Sequence, residues 1–189
     1  RAQRIRERYE IPADATVCLF MGSNYKPNVE AAKSVCDIAL EMRDRALPVH
    51  FLVLGSVGDS LDADRLPENL TTTGYVEEEF EEHFDAADVA LNPMRSGGGT
   101  NIKLIDYFAR SLPVVSTPFG IRGLDVRQDT EVVVAELDEF AAAIDTLREE
   151  PKRAKELGAT GRRLANEKYT WESASRHLRE KLHELFGPF

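Results

Sequence analysis

The chain has 189 residues, 42% of them apolar and 30% charged, and a formal net charge of −9. That is enough length for one globular domain with its own core. The acidic excess argues against nonspecific binding to nucleic acid or to an anionic membrane, both of which need a basic surface, but a local basic cluster still suffices for a small anionic ligand. No apolar run approaches the roughly 20 residues of a membrane-spanning helix and no signal peptide opens the sequence, so a cytoplasmic location and no integral membrane segment in this chain are expected.

The charged opening Arg1-Ala2-Gln3-Arg4-Ile5-Arg6-Glu7-Arg8 reads as the interior of a longer protein. Thr16 to Met21 is a nearly continuous apolar run, as expected of a buried parallel strand, and Gly22 ends it. Pro27-Asn28 precede a helix to about Arg43, and a second strand, Val49 to Leu54, stops at Gly55. Leu70 to Tyr75 is a third strand, Glu77 to Ala87 a short acidic helix, and Val89 to Leu91 a fourth strand. After the Gly97–Gly99 run come a helix from about Asn101 to Arg110, a strand at Pro113–Ser116 and a last strand at Glu131–Ala135. Helices near Leu137–Glu149, Pro151–Lys168 and Trp171–Phe186 fill the remainder. Alternating β and α units predict a Rossmann-like three-layer α/β/α domain with a parallel sheet. Its ligand site lies beyond the carboxyl ends of the strands, where the Gly22, Gly55 and Gly97–Gly99 loops gather.

The most informative stretch is Gly97-Gly98-Gly99-Thr100-Asn101-Ile102-Lys103-Leu104-Ile105-Asp106. Glycines let backbone approach a ligand closely. The helix start that follows offers free N–H groups and a partial positive charge, a combination suited to phosphate. Lys103 adds a full charge on the first turn. Asp106, three residues on, shares its helix face and could accept hydrogen bonds from sugar hydroxyls. The plain alternative is a glycine turn that starts a surface helix, with Thr100 or Asn101 as its cap and Asp106 paired to Arg110.

With its neighbours this stretch resembles a known family. The ordered segments are Phe20 to Asn28, Leu52-Val53-Leu54-Gly55, Gly74-Tyr75-Val76 with its acidic helix, Ala86 to Pro93, Gly97 to Asp106, Ala109 to Thr117, and Tyr169-Thr170-Trp171-Glu172. They are similar to the C-terminal, donor-binding domain of GT-B fold retaining glycosyltransferases of the group 1 type, over nearly the full length. The resemblance implies a single nucleotide-sugar-binding domain over residues 1–189, one half of a GT-B fold, with a C-terminal helix at 170–189. It implies a partner half, the N-terminal acceptor-binding domain, and transfer of a hexosyl group from a UDP- or GDP-sugar to an acceptor, in glycan biosynthesis, without cofactor or metal. The isolated domain is expected to be inactive. Two alternatives stand beside this: half of a sugar-nucleotide epimerase, and a degenerate donor domain acting as a scaffold.

The resemblance also carries roles. Lys103 contacts the donor diphosphate and Asp106 holds the ribose, and these two are the expected catalytic residues. Gly98, Gly99, Thr100 and Asn101 offer backbone N–H groups to phosphate. Gly22, Ser23 and Lys26 border the site after the first strand, and Val76 borders the nucleobase pocket after the third. The family's paired glutamates fall at Gly98, which has no side chain, and at Asp106, which is shorter by one methylene. Arg95 and Arg122 are further cations that could face the site. The run Glu77-Glu78-Glu79-Phe80-Glu81-Glu82 reads as dipole-favoured acids at a helix start, with no metal role. Cys18 and Cys36 read as small buried hydrophobes. His50, His83, His177 and His183 are scattered and pair with no activated nucleophile. Trp171 reads as a core anchor, and Thr170 as the cap of the last helix.

Overall fold

A computed structural model describes residues 1–187, with the side chain of His177 outside the described set. The last two residues of the expected 170–189 helix also lie outside the described residues. Six parallel strands run in the order β3-β2-β1-β4-β5-β6, where β1 is Thr16–Met21, β2 Val49–Leu54, β3 Leu70–Thr72, β4 Val89–Asn92, β5 Val114–Ser116 and β6 Val133–Val134. This is a doubly wound sheet. Its order reverses between β1 and β4, the switch point beyond whose carboxyl ends a doubly wound sheet has its ligand crevice.

The strands alternate in burial because successive side chains point to opposite faces. Cys18 and Phe20 join Phe51 and Val53 in one core, while Val17 and Leu19 join Leu52 and Leu54 in the other. The first core is covered by α2 (Lys26–Asp44) and α5 (Phe140–Glu149). Ala31, Ala32, Val35, Ile38, Ala39 and Met42 form the buried stripe of α2 at helical spacing. The second core is covered by α1 (Ala2–Arg8), α3 (Phe80–Asp85), α4 (Ile102–Ala109) and the later part of α6 (Pro151–Lys168). Cys18 is fully buried, and Cys36 is partly buried against the first core.

The charged opening is a helix, which its composition hid. Only Ile5 of α1 is buried. The arginines tie the helix down: Arg4 pairs with Glu79 and Glu82, Arg8 with Glu79, and Arg6 with Asp88. Arg6 also donates to the carbonyls of Ala15 and Ala86. Much of the acidic run is thereby used, and α3 begins only at Phe80 because Glu79 sits in the left-handed region at φ 60°. Helix α2 begins at Lys26, with Pro27 inside its first turn, where a missing N–H costs nothing. Strand β3 stops at Thr72, three residues before the expected end, as the chain bends toward Gly74 at φ 64°.

The last helix, α7, is Trp171–Phe186, and Thr170 accepts the N–H of Ser173 to cap it. Trp171 is not a core anchor: it is 88% exposed. As the first residue of α7, beyond the end of α6, it projects from the sandwich instead of into it.

Candidate functional site

Two loops face each other across the β1–β4 crevice. The first leaves β1 through Gly22 and enters α2. It interlocks with the neighbouring strand: the Gly22 N–H donates to the Leu54 carbonyl at 3.0 Å, and the Gly22 carbonyl accepts from Val57 at 3.2 Å. Gly55, at φ 101°, passes so close that a Cβ there would lie 2.5 Å from the Gly22 oxygen. The second loop leaves β4 and runs through Pro93 to Asn101 before α4. The two meet where Gly97 passes Pro27, 3.4 Å from Pro27 Cβ to the position a Cβ would take. The Gly22, Gly55 and Gly97–Gly99 turns therefore gather at one sheet edge, as the sequence predicts.

The second loop presents main-chain donors. The N–H groups of Gly98, Gly99, Thr100 and Asn101 donate to no protein acceptor among the described residues, and no side chain caps α4. Asn101 stands at the N-cap position of α4, but neither its side chain nor that of Thr100 bonds the first-turn amides. Asn101 instead donates its side-chain N–H to the Gly120 carbonyl at 2.9 Å. Consecutive free amides at a helix start form an anion-binding concavity.

Lys103 stands beside them, half-buried. Its Nζ donates to Asn28 Oδ1 at 2.9 Å, lies 3.7 Å from Met94 Sδ and sits 4.5 Å from the centre of the Phe20 ring. Burial lowers its pKa to about 8. Asn28 in turn donates to the Ser23 carbonyl at 3.1 Å and approaches the Ser23 hydroxyl at 3.4 Å. Ser23, Asn28 and Lys103 thus form one chain across the crevice. Asn28 as the lysine's acceptor is the residue that sequence reasoning passed over; its only sequence signal is an amide on the first turn of α2, following the glycine loop.

Tyr107 is the second such residue. It is fully buried on α4, and its hydroxyl accepts the Met21 N–H at 2.9 Å. It ties α4 to the last residue of β1, so the two sides of the crevice cannot drift independently. Burial raises its pKa, and the hydroxyl stays neutral.

Asp106 lies one turn behind Lys103, half-exposed. Its carboxylate is 3.7 Å from Arg110 Nη1. Arg110 is itself held by Glu81 at 2.6 Å. Burial raises the Asp106 pKa, Arg110 opposes that and Glu81 adds to it. The pairing with Arg110 expected from the sequence is present, and at this distance it leaves the carboxylate free to accept other donors.

Lys26 and Arg95 are exposed, and neither they, Lys103 nor Arg122 has an ion-pair partner among the described residues. Four unpaired cations at one sheet edge give a strongly acidic chain a local positive field. Arg122 lies directly on the glycine loop, donating to the Gly97 carbonyl at 2.9 Å. Val76 is less closely tied to the crevice. It follows β3, two strands from β1, and packs partly against the core under α1, α3 and α4. Among the described residues no group of three His, Cys, Asp or Glu side chains is placed to hold a metal ion. No helix among them is long and apolar enough to cross a membrane.

A doubly wound sheet with free amides gathered at its switch point is the arrangement in which open α/β domains bind their ligands. Residues 15–150 match the family model described as glycosyl transferases group 1, and the chain belongs to that family. A mannosyltransferase of Mycolicibacterium smegmatis, described as GDP-mannose-dependent alpha-(1-6)-phosphatidylinositol monomannoside mannosyltransferase, is 30% identical over 120 residues, 59% of this chain and 31% of its own. The chain spans about a quarter to a third of the length of the curated relatives it matches.

Among solved structures, the C-terminal domain of a glycosyl transferase group 1 family protein (LpcC) from Francisella tularensis superposes with a TM-score of 0.71 at 15% identity, covering 90% of this chain and 94% of that one. Anabaena Alr3699/HepE in complex with UDP-glucose gives 0.78 at 12% identity, covering 97% of this chain and 52% of that one. The fold is that of one half of a GT-B glycosyltransferase.

Proposed function

We propose that this chain is the donor domain of a hexosyltransferase and binds a UDP- or GDP-sugar in the β1–β4 crevice. The observation that carries the reading is the run of four amides, 98 to 101, with no protein acceptor, set beside a half-buried lysine. Relatives described as mannosyltransferases, one of them GDP-mannose-dependent, support a hexosyl donor. In this reading the amides of Gly98, Gly99, Thr100 and Asn101 and the Lys103 ammonium receive the diphosphate. Lys26 adds charge from the α2 side and Ser23 a hydroxyl. Asp106 accepts from the ribose, Gly22 lets the donor approach β1, and Val76 borders the base.

The chemistry follows from where charge develops. Cleavage of the bond between sugar and diphosphate leaves negative charge on the leaving phosphate. Donors already aimed there stabilise the transition state more than the ground state. Nothing in the crevice needs to act as a base for that step. The acceptor is held by a partner half outside this chain, in keeping with a match to about half of the Rickettsia africae chain described as a glycosyltransferase, so the domain alone turns over no donor.

The test is titration with UDP, GDP, uridine and guanosine. One diphosphate should bind, and its nucleoside far more weakly. No binding of either diphosphate would overturn the reading in favour of a scaffold. Hydrolysis or transfer by the chain alone would overturn the fragment assignment.

A further inference from the structure

The glycine loop does not hold its own shape. Gly98 and Gly99 have nothing within 4 Å of where a Cβ would stand, and Gly97 and Gly99 adopt φ 120° and 68°. A run of three glycines carries a high conformational entropy when free. Its order therefore has to come from outside: on the α2 side Pro27 lies against Gly97 and Glu30 accepts from Ser96 Oγ at 2.6 Å, and four further contacts come from residues 117 to 123 after β5. Thr117 Oγ1 donates to the Met94 carbonyl. Gly120 receives the Asn101 amide on its carbonyl. Gly123, at φ 78°, lies so close to Thr100 that a Cβ would come 2.9 Å from Thr100 Oγ1. Arg122 donates from Nη2 to the Gly97 carbonyl at 2.9 Å and from Nη1 to the Phe119 carbonyl at 3.2 Å, with its guanidinium stacked 3.9 Å from the Phe119 ring centre.

Of the four, only the Arg122 contact grips the glycine run itself. In a trans peptide the carbonyl and the next N–H point in opposite directions, and the described chain has no cis peptide bonds. Fixing the Gly97 oxygen toward Arg122 therefore fixes the Gly98 N–H away from it. The guanidinium is available for this because no carboxylate competes for it, and stacking on Phe119 sets its plane.

We propose that Arg122 is a positioning residue: by holding the Gly97 carbonyl it aims the Gly98 amide, one of the loop's free donors, at the donor diphosphate. The diphosphate part rests on the donor-domain reading above; the loop-holding part does not.

Two measurements separate them. In the ligand-free chain, Arg122→Ala should shift the Gly98 and Gly99 amide signals in ¹⁵N NMR and speed their hydrogen exchange, with the thermal midpoint unchanged. Arg122→Lys should restore part of the shift, since an ammonium can still donate to the carbonyl but cannot stack. In titrations Arg122→Ala should weaken the diphosphate about tenfold, roughly the loss of one well-aimed charge-assisted bond, and leave the nucleoside unchanged. Unmoved Gly98 and Gly99 signals would overturn the proposal whether or not any nucleotide binds. Moved signals with full diphosphate affinity, or an equal loss for nucleoside and diphosphate, would overturn its link to the donor. If the wild-type chain binds neither UDP nor GDP, the donor link fails with the parent reading, and the NMR result alone decides the loop-holding claim.

Discussion

Lys103 donates to Asn28 across the β1–β4 crevice at 2.9 Å, so a residue on α4 and one on α2 share a single polar contact at the point where strand order reverses. Asn28 is the protein acceptor nearest to a buried charge. Removing it leaves the ammonium beside an aromatic ring and a thioether alone. Asn28→Ala should cost about 1–3 kcal/mol of stability near neutral pH, the usual penalty for stripping a buried charged donor of its partner. It should also lower the Lys103 pKa further. Denaturant melts and ¹³Cε-labelled lysine titrations would check both; a lysine pKa unchanged in the variant would contradict the contact's role.

Lys103→Ala should weaken diphosphate binding by roughly 1.5–3 kcal/mol while the fold persists. Loss of affinity for the bare nucleoside should be much smaller. Calorimetry with both ligands makes the comparison, and equal losses would remove Lys103 from the phosphate site.

The same lysine sets a pH dependence of two opposite signs. Its folded pKa, about 8, lies below its ordinary value near 10.4. Between those values the unfolded chain holds the proton that the folded chain has lost, so this group's contribution to stability rises with pH across that window. Diphosphate affinity should move the other way, falling as pH rises through about 8, because the charged form is the one that attracts the ligand. Titrations below and above that pH should show the fall in wild type and not in Lys103→Met.

The three glycines of the loop should not be equivalent. Gly97 and Gly99 sit at φ 120° and 68°, whereas Gly98 does not have a positive φ and has open space around it. Alanine at 97 or 99 should cost on the order of 1–3 kcal/mol in strain and distort the amide run. Alanine at 98 should be neutral or stabilising by up to about 1 kcal/mol, through the unfolded chain. Thermal melts of the three variants give the ranking directly. The open space also means that Gly98→Glu folds normally, which makes the position of the missing family acid experimentally accessible.

Asp106→Asn should penalise a ribonucleoside diphosphate more than its 2′-deoxy counterpart, by about 1–2 kcal/mol, if the carboxylate accepts from ribose. The substitution removes the ion pair with Arg110 at 3.7 Å whichever ligand is bound, so that loss cancels in the comparison. Equal effects on the two ligands would leave Asp106 with that pairing alone.

The parts of this fold readable from sequence are those where one physical requirement dominates. β1 and β2 announce themselves as nearly continuous apolar runs, interrupted only by Thr16 and His50, because both faces are buried. The glycine loop is legible because two of its three glycines take positive φ, which glycine adopts at no steric cost. α1 was not legible: it buries one side chain, Ile5, and is held by arginines whose ion-pair partners lie more than seventy residues away. Nothing local marks such a helix, although an acidic run as dense as 77–82 does ask for a basic counterpart. Trp171 misled because size alone suggests burial, and its position at the start of a projecting helix decides otherwise. In the crevice, Lys103 and the amides were readable from spacing. Asn28, Tyr107 and Arg122 were not singled out as their supports, because contacts between separate βα units leave no spacing in the sequence.

On the far side of α4, away from the crevice, the α6 backbone comes close through two glycines three residues apart. A Cβ at Gly158 would overlap the Ser111 carbonyl oxygen, and one at Gly161 would stand 2.7 Å from Phe108 Cδ1. These two positions act as a backstop for the last turn of α4 and the turn after it, so any side chain there must displace the seat of the helix that carries Lys103. A random-mutagenesis screen scored only on nucleotide capture should therefore return substitutions at Gly158 and Gly161 alongside those in the loop, although neither glycine touches the crevice.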